Sequence, residues 1–390
     1  MADTEITRFI DKERKTISIG KEDWAELNSK YDPDTIKGWI IEEIMSDHIK
    51  FPYNELTLDD AKDSFLKLCE YEPHEFKYDS VMTRFDYEHH KLNDKYIDDT
   101  LVGNNASNYF QQVPRSFAGS KMSSMPSPRE VWASAHQLGL VLKSLWSLKM
   151  TELTMNTLKT AIAMRKYWAS QFRPAMAKSI YEKFNAVDVL DFSSGWGDRL
   201  CGFYACKNTK SYIGIDPNKD VYDNYFKQAD FYKTLTDEKK VEFLNLPAED
   251  VEIEANIVDT VFTSPPYFCA ETYTTDDTQS WVRYKDRASW LKGFMFKTLD
   301  MVWKALKPNG NLVINISDIY RRGNILKICD PMNDYIKYIL HGEEGEHFGM
   351  KLSRRPNCIA YKGKDGVCVE PVWVWKKPSI DIVVTDNDIG

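Results

Sequence analysis

The sequence predicts a doubly wound, mostly parallel α/β sheet over residues 172–378, preceded by a mostly helical N-terminal region. Three observations lead there. From Phe172 onward, short apolar runs alternate with segments of helical periodicity, the pattern of a parallel sheet with crossover helices. A turn bearing Gly195 and Gly197 follows the first run, and a stiff turn bearing Pro265 and Pro266 follows the fourth. In such a sheet ligands bind beyond the carboxyl ends of the strands, where both turns fall.

The elements follow in chain order. Residues 1–115 form an acidic accessory region with helical spacing over 36–49 and 59–69. A Ser/Pro/Gly-rich stretch, 116–128, interrupts the chain, and a long helical pattern covers 128–171 with one break expected near Thr151. Together, 116–171 make a linker and helical segment. The main domain spans 172–378 and leaves a tail, 379–390. Within it, 173–184 suits a helix with Pro174 in its first turn. Strands are expected at 187–192, 212–215, 241–246 and 257–263. A helix over 288–306 ends at Lys307-Pro308-Asn309-Gly310. Then come a strand at 311–317, a helix at 324–340, and strands near Met350 and at 367–375. No helix separates the last two, so they pair as a hairpin and give the sheet one antiparallel strand.

Composition narrows the function classes. The net charge is −8, but residues 1–100 carry −11 and the remainder +3, so the acidity belongs to the N-terminal region and leaves a local basic surface open elsewhere. No run is long and apolar enough for a membrane span, and the charged first 14 residues lack a signal peptide's apolar stretch. Seven scattered cysteines without a C-x-x-C pair fit a reducing cytosol and exclude a disulfide framework or a cysteine zinc site.

Four strand ends carry ligand-binding residue types. The run Val189-Leu190-Asp191-Phe192-Ser193-Ser194-Gly195-Trp196-Gly197-Asp198-Arg199-Leu200 is a strand, a glycine turn and a helix, in which the backbone passes close to a ligand. The next strand ends at Asp216, whose carboxylate can accept from both ribose hydroxyls of a nucleoside. The third ends at Glu249 and Asp250, either of which can meet an adenine amino group. The fourth ends at Thr263 and runs into Ser264-Pro265-Pro266-Tyr267-Phe268. Prolines supply no N–H, so this turn presents acceptors, which suit an amino group whose nitrogen attacks a methyl carbon. Tyr267 and Phe268 offer flat faces for a base. Cys269 reads as packing.

Ser264-Pro265-Pro266-Tyr267 resembles the [DNS]-P-P-[YFW] motif of the S-adenosylmethionine-dependent DNA amino-methyltransferases, which modify N4 of cytosine or N6 of adenine. Phe172-Arg173-Pro174 resembles their segment near the methionine carboxylate, and Asp191 to Gly197, including Ser193, their cofactor loop. Leu306-Lys307-Pro308-Asn309-Gly310 resembles the turn before their fifth strand, and Glu370-Pro371-Val372-Trp373-Val374-Trp375-Lys376 their closing strand. The match covers roughly 172–377. It implies a Rossmann-like methyltransferase fold and S-adenosylmethionine as cofactor. It also implies direct in-line transfer to a flipped-out DNA base, with cytosine N4 ahead of adenine N6. The loop departs from the usual D-P-F-x-G-S-G order, and no target-recognition domain separates the cofactor and catalytic segments.

Candidate phosphate contacts are Arg283, Lys285, Arg287 and Lys292, and then Lys351, Arg354, Arg355, Lys362 and Lys364. His341 and His347 flank Glu343, Glu344 and Glu346, which reads as a solvated acidic loop; His89-His90 has no ligand spacing, and no catalytic metal is expected. The acidic N-terminal region is a candidate surface for a protein partner. The expected setting is the cytoplasm of a bacterial or phage-infected cell. Two other classes stay open: an RNA or protein (glutamine) amino-methyltransferase, and a non-catalytic binding subunit that keeps the fold.

Overall fold

A computed structural model describes residues 4–73, 76–120, 125–165, 168–321, 323–352 and 366–379. By its internal contacts the chain divides into two compact units. One holds residues 1–55, 112–170 and 271–273, and the other holds 56–111, 171–270 and 274–390. Residues 56–111 therefore belong with the sheet rather than with the N-terminal region from which the sequence pattern does not separate them.

The larger unit is built on β1 (Asp188–Asp191), β2 (Ser211–Ile215), β3 (Lys240–Leu244), β4 (Val258–Thr263), β5 (Leu306–Asn315), β6 (Phe348–Lys351) and β7 (Val367–Lys376). They lie in the order β3-β2-β1-β4-β5-β7-β6. Strands β3 through β5 along that order are mutually parallel, and β7 is antiparallel to both of its neighbours. This is the Rossmann-like doubly wound sheet with an antiparallel strand that the sequence predicts. Its central strands are near-continuous apolar runs because helices bury both faces: Val189, Leu190, Val261 and Phe262 are fully enclosed. The chain moves outward from β1 to β3 and then returns to β4, so the strand order reverses between β1 and β4. That crevice is where such sheets bind ligands.

The helices that position the crevice are α1 (Pro174–Lys183), α2 (Asp198–Ala205), α3 (Lys219–Tyr232) and α4 (Lys297–Ala305). Pro174 opens α1, where its missing N–H has no intrahelical partner to lose. The Asn218 side chain caps α3 by accepting from the Asp220 amide at 3.0 Å. Buried lysines close helix C-termini. Lys178 Nζ donates to the Cys69 and Tyr71 carbonyls at the C-terminal end of the helix Leu58–Glu70 (2.9 and 2.6 Å). Lys377 Nζ donates to the Trp303 and Leu306 carbonyls at the end of α4 (3.0 and 2.8 Å). Each amine satisfies orphan carbonyls and meets the negative end of a helix dipole.

The structure corrects four sequence-based boundaries. The helix expected at 288–306 begins at Arg287 and contains a π-helical stretch, Leu291–Phe296; it yields to β5 already at Leu306. Residues 307–310 then bulge out, since Val258 pairs with Leu306 but Thr260 pairs with Asn311. The helix expected at 324–340 starts only at Cys329, because the Asp318 carboxylate accepts from the amides of Ile328 and Cys329 (2.7 and 2.9 Å). Asn324–Leu326 pairs instead with Ile319–Arg321 as a hairpin across Gly323. The helical pattern over 128–171 breaks more than once. It gives Pro128–Trp132, Ala135–Leu142, Ser144–Ser147 and Met155–Arg165, with Ser127 and Ser134 each capping a new start. The accessory region also supplies strands to the sheet: Lys95–Ile97 runs parallel to β6, Lys77–Tyr78 pairs beyond it, and Val81–Met82 pairs with β7.

The smaller unit has its own core. Ile17, Ile19, Trp24, Leu27, Ile36 and Ile40 pack with Val131, Leu138, Val141, Leu145, Leu153 and Leu158, so segments far apart in the chain fold together. Among the described residues, no helix is long and apolar enough to cross a membrane.

Candidate active site

The loop after β1 is held in shape from below. Asp191, fully buried, accepts from Arg199 Nε (2.8 Å), the Tyr212 hydroxyl (2.8 Å), the Thr263 hydroxyl (2.8 Å) and the Ser193 amide (3.2 Å). Arg199 also donates to the Ser193 carbonyl and lies over the Phe172 ring. Asp191 and Thr263, expected among the cofactor contacts, are thus committed to the protein; they join the ends of β1 and β4 at the switch point. Ser193 turns its own hydroxyl onto the Phe192 carbonyl at 2.8 Å.

Gly195 and Gly197 both adopt positive φ, +56° and +70°. The positive φ favours glycine at 197, and a Cβ there would also stand 2.0 Å from Gln228 Oε1 and have to displace that side-chain amide. The Tyr225 hydroxyl donates to the Gly195 carbonyl at 2.6 Å, and Gln228 Nε2 donates to the Trp196 carbonyl at 3.3 Å. The Asp216 carboxylate accepts from the Gly195 amide (2.8 Å) and the Asn218 amide (2.9 Å), one bond to each oxygen. Each oxygen keeps a lone pair for a further donor. Burial pushes the Asp216 carboxyl up to about 6 against the pull of those two amides.

Glu249 and Asp250 follow β3 in a short helical turn, and Arg283 reaches both, at 2.7 and 2.8 Å. From the sequence, Glu249 or Asp250 is expected at an adenine and Arg283 at a phosphate. The structure joins all three, so the guanidinium is spent on two carboxylates. Burial lifts the Glu249 carboxyl above its ordinary value even so. Arg173 stands just before α1, without capping it, and pairs with Asp99 at 2.9 Å, a partner from the accessory region. Phe172 packs edge-on to Phe262.

Ser264-Pro265-Pro266-Tyr267 turns out of β4 beside the β1 loop. The Tyr267 hydroxyl donates to the Asn315 carbonyl at 3.4 Å, and burial, with the Glu370 carboxyl nearby, pushes its phenol well above the ordinary value. Phe268, expected to face a base, instead turns inward: it is buried against Trp290, with ring centroids 5.8 Å apart and φ at +49°. A bulky residue is rarely left-handed, and here it lets the turn tuck one aromatic under the other.

No family model matches the chain, and no curated protein does. Among solved structures it is similar to the tRNA (m1A58) methyltransferase TrmI from Aquifex aeolicus, at 14% identity and a TM-score of 0.34 over 54% of this chain and 70% of that one. It is similar to the N-methyltransferase NodS from Bradyrhizobium japonicum, at 10% identity and 0.33 over 53% and 92%. The [4+2]-cyclase SpnF aligns at 13% identity and 0.36 over 53% and 81%. The strand order itself, rather than these distant likenesses, defines the fold.

The basic clusters are partly spent. Lys285 and Lys292 are exposed, and Arg287 is exposed while donating to the Lys327 carbonyl at 3.1 Å. Lys351 pairs with Asp98 at 2.6 Å. Arg354, Arg355, Lys362 and Lys364 lie outside the described residues. His347 meets Glu344 and His90 rather than His341. His347 Nδ1 accepts the Val374 amide at 3.0 Å, so Nε2 carries the hydrogen; Glu344 Oε1 lies 3.1 Å from it but outside hydrogen-bond geometry. A metal at Nε2 would need a lone pair that this tautomer does not have there.

Residues that the sequence reading left without a role complete the site: Arg199, Tyr212, Tyr225, Gln228, Asn315 and Glu370. Glu370 alone had a visible signal, a carboxyl within the apolar run Val367-Cys368-Val369-Glu370-Pro371-Val372.

Proposed function

We propose that the protein is an S-adenosylmethionine-dependent methyltransferase acting on an exocyclic amino group of a DNA base, N4 of cytosine ahead of N6 of adenine. One observation carries the reading: the Ser264-Pro265-Pro266-Tyr267 turn and the Gly195/Gly197/Asp216 loop leave adjacent strands at the switch point, tied by the Thr263–Asp191 hydrogen bond.

The residues present fit the cofactor. A Cβ at Gly195 would find nothing nearer than 3.7 Å, which leaves room for a ligand against the loop, and Asp216 offers two unspent lone pairs for ribose hydroxyls. Bound, the cofactor supplies a sulfonium methyl. The protein's part is to orient the acceptor. Ser264 and the Pro265 carbonyl accept from the amino group as its nitrogen becomes pyramidal, an interaction that strengthens in the transition state. Tyr267, bonded to the Asn315 carbonyl, anchors the far end of the turn to β5.

Asp216 gives the reading a pH signature. Its carboxyl is neutral below about 6 and ionised above, and a carboxylate is the better acceptor for two hydroxyls. Cofactor affinity measured by calorimetry should therefore rise as pH rises through about 6 and then level off. Asp216→Asn should remove that dependence and weaken binding by roughly 1.5–3 kcal/mol. A flat profile in the wild type would remove Asp216 from the cofactor site.

The substrate is tested by incubating the protein with labelled methyl donor and separate DNA, RNA and protein pools, then identifying the methylated product by mass spectrometry. For DNA, log affinity should fall linearly with log salt, and neutralising Arg354 and Arg355 together should flatten the slope by about two units. Salt-independent binding with methylation of protein alone ends the DNA reading. The commitment of Arg283 and Lys351 to carboxylates favours a side-chain amide acceptor as the second reading.

A further inference from the structure

We propose that the hairpin of Ile319–Arg321 and Asn324–Leu326 is a DNA-holding finger: Tyr320 and Ile325 receive a base of the strand that carries the methyl acceptor, and Arg321 meets its phosphates. The proposal rests on the DNA reading above for the class of partner.

The hairpin leaves the sheet beside the catalytic turn. Ile314 of β5 pairs with Thr263 of β4, so the two strands end side by side. One leads into Ser264 and the other, through Asn315, into the hairpin. The Tyr267 hydroxyl donates to the Asn315 carbonyl at 3.4 Å, which ties the two exits together.

Pairing decides which side chains face outward. Ile319 lies opposite Leu326, Tyr320 opposite Ile325, and Arg321 opposite Asn324. Successive residues of a strand point to opposite faces. Ile319 is buried, so its face is turned to the protein. Tyr320 and Ile325 share the other face and are 48% and 50% exposed. The solvated face of an antiparallel pair ordinarily carries polar residues. Here it carries a directly opposed tyrosine and isoleucine. The Tyr320 hydroxyl comes within 4.0 Å of where a Cβ on Gly323 would stand, so the ring lies along the hairpin towards its tip. A nucleic-acid base stacks on such a ring whatever its identity, and the isoleucine widens the apolar platform.

The charge suits the same occupant. Residues 319–327 hold three basic residues and no acidic one. Lys327 pairs with Glu88 at the base of the hairpin, and Arg321 stands next to the turn. An isolated two-stranded hairpin is marginal in water, but this one is fastened at both ends. The Asp318 carboxylate accepts from the Ile328 and Cys329 amides, and Arg287 donates to the Lys327 carbonyl at 3.1 Å. The Ile316 carbonyl accepts from the Trp373 indole at 3.0 Å. The platform is therefore held in place before a strand arrives, which spares the cost of ordering it on binding.

The test measures binding of a fluorescent, mixed-sequence single-stranded oligodeoxynucleotide by anisotropy. It uses the full-length protein and the Tyr320→Ala, Tyr320→Phe and Arg321→Gln variants, each with its urea midpoint and cofactor affinity. Tyr320→Ala should weaken binding roughly tenfold with the salt slope unchanged, and Tyr320→Phe should bind as the wild type does, because stacking needs the ring and not the hydroxyl. Arg321→Gln should flatten the slope of log affinity against log salt by about 0.7, the effect of one phosphate contact on a single strand. Urea midpoints and cofactor affinities should stay at wild-type values, which separates a binding role from a structural one. Wild-type affinity in Tyr320→Ala overturns the proposal, and methylation of DNA by the wild type then leaves the functional reading standing. Loss of binding in Tyr320→Ala, with no DNA methylated by the wild type, sustains the finger and ends the reading of the reaction. An RNA strand of the same sequence bound tenfold more tightly than the DNA overturns the choice of DNA. A wild type that binds neither overturns the finger and the DNA reading together.

Discussion

Asp191→Ala should destabilise the larger unit by about 3–5 kcal/mol, the cost of leaving a buried guanidinium without its counter-charge. Asp191 is fully enclosed and the Arg199 side chain is 5% exposed, so water cannot replace the lost partner. The Tyr212 and Thr263 hydroxyls lose their acceptor in the same substitution. A loss of this size is a large fraction of what holds a domain folded. Urea unfolding followed by circular dichroism should show the midpoint fall. The pair Asp191→Leu with Arg199→Met removes both charges and should recover most of the loss, because a matched apolar pair replaces a buried ion pair at little cost. If Asp191→Ala unfolds at the wild-type midpoint and loses only cofactor affinity, Asp191 is a ligand contact and not the fastening of the loop.

Ser264→Ala should lower kcat by about two to three orders of magnitude, the effect of removing one preorganised transition-state hydrogen bond. Cofactor affinity should stay close to wild type, since Ser264 lies on the β4 side of the crevice and the Gly195/Asp216 contacts do not involve it. The split between turnover and cofactor binding separates a catalytic role from a fold defect. A variant that keeps wild-type kcat on its true substrate places the chemistry elsewhere.

The sheet was legible in the sequence because its strands are buried on both faces and stand out as apolar runs. Its turns were legible because glycine and proline act through the backbone alone. Gly195, Gly197 and the two prolines needed no knowledge of the rest of the chain. Charged residues were harder to place. Arg283 and Glu249 carry opposite charges 34 residues apart, and nothing local shows that they meet. Asp191 looked like a ligand contact from its place at a strand end; its partners come from α2, β2 and β4, which only the folded sheet assembles. The helix expected at 324–340 lost its first turn to a cap from Asp318, upstream of the segment itself. The N-terminal region hid its role for a similar reason: strands of two or three residues, such as Val81–Met82 and Lys95–Ile97, are too short to leave a periodic trace.

Those short strands set a timetable for the ribosome. Tyr96 and Ile97 pair with Gly349 and Met350, and Val81 and Met82 with Val367 and Cys368. The edge that is made first must wait, unpaired, for nearly the whole chain to be synthesised, and such long-range closures are slow. Lys77 and Lys95 sit on that waiting edge and are placed to keep it from pairing with a neighbouring nascent chain. The larger unit therefore closes only after residues 348–376 are made, whereas the smaller unit has its last segment by residue 170, apart from 271–273, and is ready to condense earlier.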